Sequence, residues 1–461
     1  MTRPSGALSM VVAGLSALAV TGGAGAAASA APHASASAFA ANARVIRGHG
    51  ELAVVTKDQQ LYLVGGAAHG ARRVALTGEA DAPAWSHDGR WLAVTVRPVP
   101  APSAPPTDEP TAVWLVSRAG TVVRPLTPTG QDVYHATSAW SPRADRLAMS
   151  YTADVTSPAG AVQHLDVVGI SGNATTLASA ANISGFAWSP DGRRLAAGLN
   201  DVNAGKWDSR IVTIVPGGAT PRTVTTEDGS ILDVAGWWPD GTGILAWLDF
   251  QGSGSLAEDG LPLLDVSVAS GHRHRLTKSM LQYEGWLATS RLKDKVALIA
   301  GGDRELTNRH KHLVICSRSH CRTVAQPRHQ VSFDPAWSRR GRLAVVRDHA
   351  VRPTPANGDF SLRFTHKVDA SGGIDLVHGR KVSRLPGGSR ATAPVWGTDG
   401  SVLFVRGSSL WLLGAGASKA RRVAGPVSAT DAFYGFVSWW DSFAWTKAYV
   451  DRGRLGSPQV I

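Results

Sequence analysis

Several marks of enzymes, membrane proteins and nucleic-acid-binding proteins are missing from this chain of 461 residues. It has no Gly-x-Ser-x-Gly elbow of the kind that carries the nucleophile of serine hydrolases. It has no dense run of lysine and arginine of the kind that forms a nucleic-acid-binding arm. Its apolar run at 8–20 is shorter than the ~20 residues that a membrane span needs. No helical pattern of about 12 residues interrupts its strands.

Charge and cysteine are also scarce. Charged residues make up 18% of the chain, and Cys316 and Cys321 are the only two cysteines. Hydrophobic residues reach 43%, with 50 glycines and 26 prolines, a mixture that suits many short strands joined by turns. The formal net charge of +12 favours anionic partners such as cell-wall polymers, lipid headgroups or acidic proteins.

The first 30 residues read as a secretory signal peptide. Arg3 precedes the apolar run, and Ala28-Ser29-Ala30 forms an Ala-x-Ala cleavage pattern. The alternative is an uncleaved membrane anchor. Because no cysteine lies near the cleavage site, a lipid anchor there is excluded. We therefore expect an exported protein that is extracellular or associated with the cell envelope.

One segment recurs along most of the chain and reads Trp-Ser-x-Asp-Gly in its best copy. Six copies are PAWSHDGRWLAV (83–94), SAWSPRADRLAM (138–149), FAWSPDGRRLAA (186–197), GWWPDGTGILAW (236–247), PAWSRRGRLAVV (335–346) and PVWGTDGSVLFV (394–405). Two weaker copies are GWLATSRLKDKVALI (285–299) and SWWDSFAW (438–445). The repeated tryptophans are Trp85, Trp140, Trp188, Trp237, Trp286, Trp337, Trp396 and Trp439. Their spacing of 43 to 59 residues is typical of a four-stranded propeller blade.

Each repeat has the same order of strands. A strand ends at Trp, a turn that often contains Asp-Gly follows, and three more strands complete the unit. The segment 51–78 parallels 401–425, so it supplies three strands but no first strand. We expect the tail at 434–440 to supply that strand by pairing with 51–56, which closes the ring and removes exposed edges. The sequence thus predicts an all-β, single closed β-propeller of eight blades, with seven as the alternative because the copy at Trp286 is weak.

These repeats resemble those of TolB-type propellers, of LpqB-type lipoproteins and of the propellers of prolyl-oligopeptidase-type enzymes, within the WD40-like superfamily. The resemblance covers about residues 47–447, and WSPDG at 188–192 matches best. The copies at Trp140, Trp286, Trp337 and Trp439 lack Asp-Gly, so their turns depart from the pattern. The resemblance implies a propeller and an accessory role beside a membrane-bound envelope complex, although this fold hosts many activities. The organisation we expect is a signal peptide (1–30), a flexible linker (31–46), the propeller (47–447) and a tail (448–461).

The repeated residues and the cysteines have structural interpretations. Tryptophan fills space between blades, while Asp and Gly form the turn. Cys316 and Cys321 flank a four-residue loop that aligns with a third-to-fourth-strand hairpin, so we expect a disulfide across it. The alternative is a metal site with His310, His312 and His320, but zinc needs three or four converging donors. We therefore predict no metal and no cofactor.

A basic, histidine-rich region spans 272–329. It is either the solvated surface of two adjacent blades or an anion-binding patch that strengthens as its histidines become protonated. Its members are His272, Arg273, His274, Arg275, Lys278, Arg309, His310, Lys311, His312, Arg318, His320, Arg322, Arg328 and His329.

Long insertions mark one face of the expected propeller. They fall between the second and third strands of five blades, at 97–110, 151–161, 199–209, 249–260 and 347–372. Loops on a rigid scaffold are where function concentrates, and exposed tryptophan and arginine are typical of binding hot spots. The candidate binding residues are Asp201, Lys206, Trp207, Asp208, Asp249, Arg347, Asp348 and Arg352. The alternative is that this face merely tolerates insertion and that Trp207 packs into its blade.

These features favour an exported, non-catalytic propeller that binds a protein or an anionic cell-envelope ligand through the face with the insertions. We expect a monomer with no nucleic-acid partner, which does not span the membrane once the signal is removed. The alternative is a lyase or hydrolase acting on an extracellular polymer such as a polyanionic glycan. The two are separated by whether acidic and basic side chains converge at the mouth of the central channel.

Overall fold

The fold is an all-β propeller of eight blades. A computed structural model describes residues 39–66, 70–99, 110–129, 132–153, 161–203, 205–218, 220–250, 260–302, 310–350, 372–379, 381–431 and 437–449. Within these ranges the strands form eight antiparallel sheets of four strands, one of which gains a fifth strand at its edge. Each sheet is one blade, so the prediction of eight blades is confirmed and the alternative of seven is wrong.

The blades are numbered in chain order. Blade 1 contains β2 (Glu51–Val55), β3 (Leu61–Gly65), β4 (Ala71–Arg73) and, from the other end of the chain, β35 (Phe443–Trp445). Blades 2 to 4 contain β5 (Glu79–Trp85), β6 (Trp91–Arg97), β7 (Ala112–Ser117), β8 (Val122–Pro125), β9 (Tyr134–Trp140), β10 (Arg146–Ala153), β11 (Val162–Gly169), β12 (Ala174–Ala180), β13 (Asn182–Trp188), β14 (Leu195–Asn203), β15 (Lys206–Ile214) and β16 (Arg222–Asp228).

The second half of the ring continues in the same way. Blades 5 to 8 contain β17 (Ile231–Trp237), β18 (Gly243–Asp249), β19 (Leu261–Ser267), β20 (Arg273–Met280), β21 (Leu287–Ser290), β22 (Lys295–Ala300), β23 (His312–Ser317), β24 (His320–Thr323), β25 (Gln330–Trp337), β26 (Leu343–His349), β27 (Gly373–His378), β28 (Lys381–Ser389), β29 (Ala391–Trp396), β30 (Val402–Arg406), β31 (Ser409–Leu413) and β32 (Arg421–Gly425). Outside the blades lie β1 (Ala40–Ala41), the helix α1 (Ala43–Ile46), the hairpin of β33 (Thr430–Asp431) and β34 (Val437–Ser438), and two 3₁₀ turns at Glu284–Trp286 and Trp440–Ser442.

The Ser-x-Asp-Gly turn is held by its own side chains. In blade 4, Ser189 Oγ donates to Asp191 Oδ1 at 2.6 Å and accepts the amide of Arg194 at 2.9 Å. Asp191 also accepts the amide of Arg193 at 3.1 Å. Gly192 has φ of 69°, a left-handed conformation that glycine adopts at little cost. The structural interpretation of Asp and Gly is therefore confirmed in this copy.

The repeated tryptophan joins its blade to the preceding blade. In blades 2, 3, 4, 5 and 8 its indole Nε1 donates to the carbonyl of the residue just before the repeated position of that neighbour, whereas the indole nitrogen of Trp337 has no hydrogen-bond partner among the described residues. These bonds run from Trp85 to Ala444 (3.3 Å), Trp140 to Ala84 (2.8 Å), Trp188 to Ala139 (2.9 Å), Trp237 to Ala187 (2.9 Å) and Trp396 to Ala336 (3.0 Å). The preceding blade also places an arginine over the ring of Trp188, Trp237 and Trp396, at 4.5 to 5.2 Å from the centroid.

Blade 6 departs from this pattern, and our assignment of Trp286 to the repeated position is wrong. Trp286 lies in the 3₁₀ turn before β21 and is buried beside Phe333, with 5.6 Å between ring centroids. Thr289 takes the repeated position, because it pairs with Val296 as the other tryptophans pair with the first residues of their second strands. Ala288-Thr289-Ser290 thus stands where other blades have Ala-Trp-Ser.

A different tryptophan joins blades 5 and 6. The indole of Trp238, the residue after the repeated position of blade 5, donates to Asp294 in the first turn of blade 6 at 2.8 Å. The contact therefore runs forward along the ring, whereas the others run backward. Asp294 adopts a positive φ of 46° in that turn.

The ring closes through a strand that lies later in the chain than we predicted. The predicted strand at 434–440 is wrong: β35, three residues long, pairs Leu52 with Trp445 and Val54 with Phe443. Trp445, not Trp439, occupies the repeated position, and its indole donates to the carbonyl of His49 at 2.6 Å. The reason is visible in the sequence, since FAW at 443–445 repeats FAW at 186–188.

Both ends of the described chain contact blade 8. Ala40 pairs with Gly425 at its outer edge, and Ile46 of α1 is buried. The amide of Tyr449 donates to the carbonyl of Trp396 at 2.6 Å. The predicted signal peptide and the tail from 450 onward lie outside the described residues.

The predicted disulfide is present. Cys316 on β23 and Cys321 on β24 are direct cross-strand partners, with their Cα atoms 4.0 Å apart. The bond therefore joins the third and fourth strands of blade 6, as the alignment with other hairpins indicated. Among the described residues, no helix is long and apolar enough to cross a membrane.

We expect Trp445→Ala to destabilise the protein more than Trp439→Ala. The first substitution removes a buried indole together with its bond to His49 and should lower the free energy of unfolding by about 3–5 kcal/mol. Trp439 is only half-buried and lies outside the closing strand, so its loss should cost clearly less. Urea unfolding of the two variants checks this. An equal loss, or a larger one for Trp439→Ala, would contradict the assignment of the closing strand.

Candidate functional site

The connections of a propeller fall on two faces because successive strands of a blade are antiparallel. The first-to-second and third-to-fourth connections share one face, which we call the turn face. The second-to-third connections and the links between blades share the other, which we call the insertion face. All five predicted insertions lie between second and third strands, as expected.

The insertion at 199–209 is not a loop, which corrects our interpretation. β14 and β15 pair without interruption from Leu195 opposite Ile214 to Asn203 opposite Lys206. Trp207 is therefore a half-buried strand residue opposite Val202, and its carbonyl accepts the amide of Gly229 at 2.8 Å.

The charged candidates of this hairpin lie near its tip. Asp201 accepts hydrogen bonds from the Ala181 amide and from Arg210, both at 3.1 Å. Asp208 lies opposite Asp201 on the neighbouring strand, and Lys206 is exposed. The hairpin thus brings Asp201, Lys206 and Asp208 together on the insertion face, although Asp201 is already paired.

Three further candidates are buried and so are not the exposed binding residues that we expected. Asp249 ends β18 and Asp348 lies in β26, each 7% exposed. Arg347 is 3% exposed, donates to the Ala325 carbonyl at 3.0 Å and lies 3.8 Å from Asp375. Burial lowers the pKa of Arg347, an effect that Asp375 opposes. We expected these three residues in loops, but the second strands of blades 5 and 7 continue through them, so they are buried within the blades. Arg352 lies outside the described residues.

Apolar side chains remain exposed on the insertion face. Val99, Val202 and Phe250 are 70%, 59% and 55% exposed, and each lies at a second-to-third connection. They belong to blades 2, 4 and 5. Exposed apolar groups collected on one face are typical of an interaction surface.

The turn face opens into a cavity on the propeller axis, which sequence reasoning missed. The cavity has a volume of about 350 Å³, and all eight blades contribute to its wall. First strands converge on the axis and end there, so their terminal tryptophans meet around it. The tryptophans of the wall are Trp85, Trp140, Trp188, Trp237, Trp337, Trp396, Trp440 and Trp445. The same indoles that join the blades therefore form an aromatic binding surface.

Blade 6 and the C-terminal segment shape this cavity. Thr289 is the one wall position where the repeated tryptophan is replaced by a smaller side chain. Trp440 reaches the backbone of blade 6, because a Cβ at Gly285 would overlap its indole nitrogen. Trp440 precedes the closing strand of blade 1, so its side chain brings the C-terminal segment next to blade 6 in the cavity wall.

The polar groups of the wall are few and none is a carboxylate. Among the described lining residues, the charged or titratable side chains other than tyrosine are His87 and Arg291. Arg291 donates to the Pro190 carbonyl at 2.5 Å. Acidic and basic groups therefore do not converge here, whereas general acid–base catalysis needs such groups within hydrogen-bond reach of a substrate. The cavity is suited to holding an apolar group.

Basic side chains surround the cavity on the turn face, while the acids of the same turns are directed into the turns. Burial would raise the pKa of Asp88, but hydrogen bonds from Ser86 and Arg90 and the charge of Arg90 lower it to about 2. Asp191, Asp240 and Asp399 show the same balance, with pKa values lowered by hydrogen bonds despite burial. These carboxylates stay ionised and internally bonded.

One cluster of side chains on this face has the composition of a metal site, but its carboxylates are paired with an arginine of the protein. His87, Asp88 and Asp145 offer ligand atoms within 4.8 Å of one another. Arg90 forms ion pairs with both carboxylates, and His87 lies 3.1 Å from Asp145. Arg90 therefore contacts both carboxylates and offsets one of their two negative charges.

Three arginines of the basic region at 272–329, Arg273, Arg318 and Arg322, form contacts between blades, while Arg309 lies outside the described residues. Arg273 binds Thr225 and Glu227 of blade 4, and Arg318 donates to Asp265 at 2.6 Å and to Asp240 at 2.9 Å. Burial lowers the pKa of His312, helped by His310 and Lys311. These contacts support the structural interpretation of the region over an anion patch that strengthens on protonation.

Two buried carboxyl groups share one face of the β17–β18 pair. Asp249 lies opposite Ile231, so Asp233 is its diagonal neighbour on the same side of the sheet. Gln282 donates to Asp233 at 2.8 Å. Burial and the charge of Asp249 raise the pKa of Asp233 to about 7.

Comparison with known proteins adds only the fold. No protein-family model and no curated protein matches the chain. Similar solved structures include the acylaminoacyl peptidase of Pyrococcus horikoshii, 12% identical with a TM-score of 0.43 over 74% of this chain and 52% of that one. The chain thus spans about half the length of that peptidase.

Two further structures are similar over most of their own length. The β-propeller domain of the Trilobed protease from Pyrococcus furiosus is 9% identical, with a TM-score of 0.42 over 74% of this chain and 96% of that one. A putative TolB from Agrobacterium tumefaciens is 15% identical, with a TM-score of 0.36 over 59% of this chain and 87% of that one. At these values the similarity concerns the propeller fold and carries no argument about function.

We expect stability to fall as pH rises through 7, and Asp233→Asn to reduce this loss. A carboxyl group with a raised pKa in the folded state binds its proton there more tightly than in the unfolded chain. Its contribution is complete below the ordinary value near 4 and is lost as pH rises through about 7, at up to about 1.4 kcal/mol per pH unit. Unfolding at pH 5 and pH 8 measures the effect. Asp191→Asn, in an exposed turn, is the control, and an unchanged slope for Asp233→Asn would contradict the assignment.

Proposed function

We propose that this protein is an exported, non-catalytic β-propeller that binds a partner by taking an apolar group of it into the axial cavity. The observation that carries the proposal is the wall itself: tryptophans from the ring and no carboxylate among the described lining residues. A volume of about 350 Å³ lies within the range of small-ligand sites. Such a cavity gains affinity by excluding water from an apolar group.

The same wall argues against the enzymatic alternative. A lyase or hydrolase acting on a polyanionic glycan requires an acid and a base that converge on the substrate. The mouth offers the imidazole of His87 and the guanidinium of Arg291 but no acidic partner among the described lining residues. Binding is therefore the function that this geometry supports best.

The partner is anionic and lies outside the cytoplasm in this proposal. The basic side chains around the mouth and the formal net charge of +12 favour a negatively charged partner. Export is supported by the apolar run and the Ala28-Ser29-Ala30 pattern. The disulfide is consistent with an oxidising compartment. Membership of the TolB type, with a role beside an envelope complex, belongs to the same proposal.

The insertion face is a second candidate site, for a protein partner. The observation that favours it is the exposure of Val99, Val202 and Phe250 on that face. Asp201, Lys206 and Asp208 at the tip of the β14–β15 hairpin would supply its polar contacts. The two sites lie on opposite faces, so one molecule has room for both partners.

Binding of 1-anilinonaphthalene-8-sulfonate, an aromatic anion, tests the cavity. We expect saturable binding of one probe per folded protein. Thr289→Trp restores the repeated residue and fills the cavity, so it should weaken binding more than tenfold while thermal unfolding is kept. Trp440→Ala enlarges the cavity and should not weaken binding.

Val202→Trp, on the opposite face, is the matched control and should leave probe binding unchanged. Binding that is insensitive to Thr289→Trp, or that Val202→Trp changes as strongly, would contradict the axial site. Absence of saturable probe binding to the folded protein would also contradict the axial site.

A further inference from the structure

We propose that the turn face docks on an anionic lipid bilayer, with Leu292 and Val215 entering the headgroup region and free basic side chains contacting lipid phosphates. The inference uses the surface around the axial cavity and does not depend on what the cavity binds. It also assigns an orientation, because the insertion face would then point away from the bilayer.

Two of the most exposed apolar side chains of the described residues lie on this face. Leu292 is 61% exposed at the first turn of blade 6, and Val215 is 52% exposed at the second turn of blade 4. Both side chains stand at the tips of turns, where nothing in the fold requires an apolar residue. Single apolar residues are common on surfaces, so their meaning depends on what surrounds them.

Basic side chains surround them. Lys293 follows Leu292 directly, and Arg143, Arg193, Arg339 and Arg340 occupy the corresponding turns of blades 3, 4 and 7. All five are exposed, and none forms an ion pair among the described residues. Their charges are therefore available to an external anion.

The acids of this face do not cancel these charges locally. Asp88 binds Ser86 and Arg90, and Asp240 binds Arg318. Asp294 accepts the indole of Trp238. The carboxylates are thus bonded within the protein, while the free arginines and Lys293 point outward. This arrangement gives the turn face a positive surface.

An apolar tip among basic residues fits a bilayer better than a soluble polyanion. Leucine and valine gain free energy by leaving water for the acyl boundary, whereas a hydrated glycan offers no such environment. Basic side chains near an anionic leaflet gain further from its surface potential. The opposite face carries two carboxylates that form no ion pair among the described residues, Asp208 and Asp228, which lie opposite each other on β15 and β16, so the charge pattern favours the turn face.

Co-sedimentation with vesicles tests the proposal, using phosphatidylglycerol in phosphatidylcholine compared with phosphatidylcholine alone. We expect binding only to the anionic vesicles, weakening with added salt. Arg339→Gln combined with Arg340→Gln should weaken it about 25-fold, at roughly fivefold for each base removed. Leu292→Asp should weaken it at least tenfold. All these side chains are exposed, so the folded state should keep its thermal midpoint.

The matched controls lie on the insertion face. Val202→Asp, at nearly the same exposure as Leu292, and Lys206→Gln should leave vesicle binding unchanged. Thr289→Trp should keep vesicle binding while it weakens probe binding more than tenfold, which separates this proposal from the axial site. Equal losses for both faces would overturn it. Vesicle binding that Leu292→Asp does not weaken, and with which a soluble polyanionic glycan competes fully, would also overturn the proposal. The surface would then be a general polyanion site.

Discussion

The hydrogen bond from an indole nitrogen to a main-chain carbonyl one blade back is the interaction on which this structure depends. It buries a large aromatic side chain between two first strands and satisfies the polar atom of that side chain at the same time. Because the donor belongs to one blade and the acceptor to its neighbour, each bond sets the position of the next blade. Trp445 comes from the opposite end of the chain and donates instead to the carbonyl of His49, just before the second strand of blade 1, so its bond holds the closing strand to the N-terminal segment.

The functional surfaces follow from the same geometry. First strands that end in tryptophan must meet around the axis, and their rings leave an apolar cavity whose wall holds no carboxylate among the described residues. The turns that follow these tryptophans need Ser and Asp for their internal bonds, which directs the acids inward and leaves arginines outward. Second-to-third connections carry no such requirement, so the insertions accumulate on the opposite face. The cavity with its basic surround and the elaborated opposite face are the two distinct surfaces on which we propose that partners bind.

Much of the fold could be predicted from local repetition. Two errors occurred where a tryptophan with another role lies close to the repeated position. Trp286 and Trp439 lie three and six residues before the repeated positions, and spacing alone could not separate them from Thr289 and Trp445. The neighbours could: Ala288-Thr289-Ser290 and Phe443-Ala444-Trp445 match the flanks of the true repeat. Asp249, Arg347 and Asp348 were misplaced because a sequence does not show how far a second strand continues. The axial cavity could not be predicted, since it exists only where eight strands converge.

Hydrogen exchange of the tryptophan indoles tests whether these bonds hold the ring closed. We expect the Nε1 proton of Trp445 to exchange only through global unfolding, with a free energy of opening within about 1 kcal/mol of the values for Trp140, Trp188 and Trp237. The result that would contradict this expectation is an indole of Trp445 that exchanges orders of magnitude faster than these three. The closing strand would then open locally, and the bond from Trp445 to His49 would not hold the ring closed.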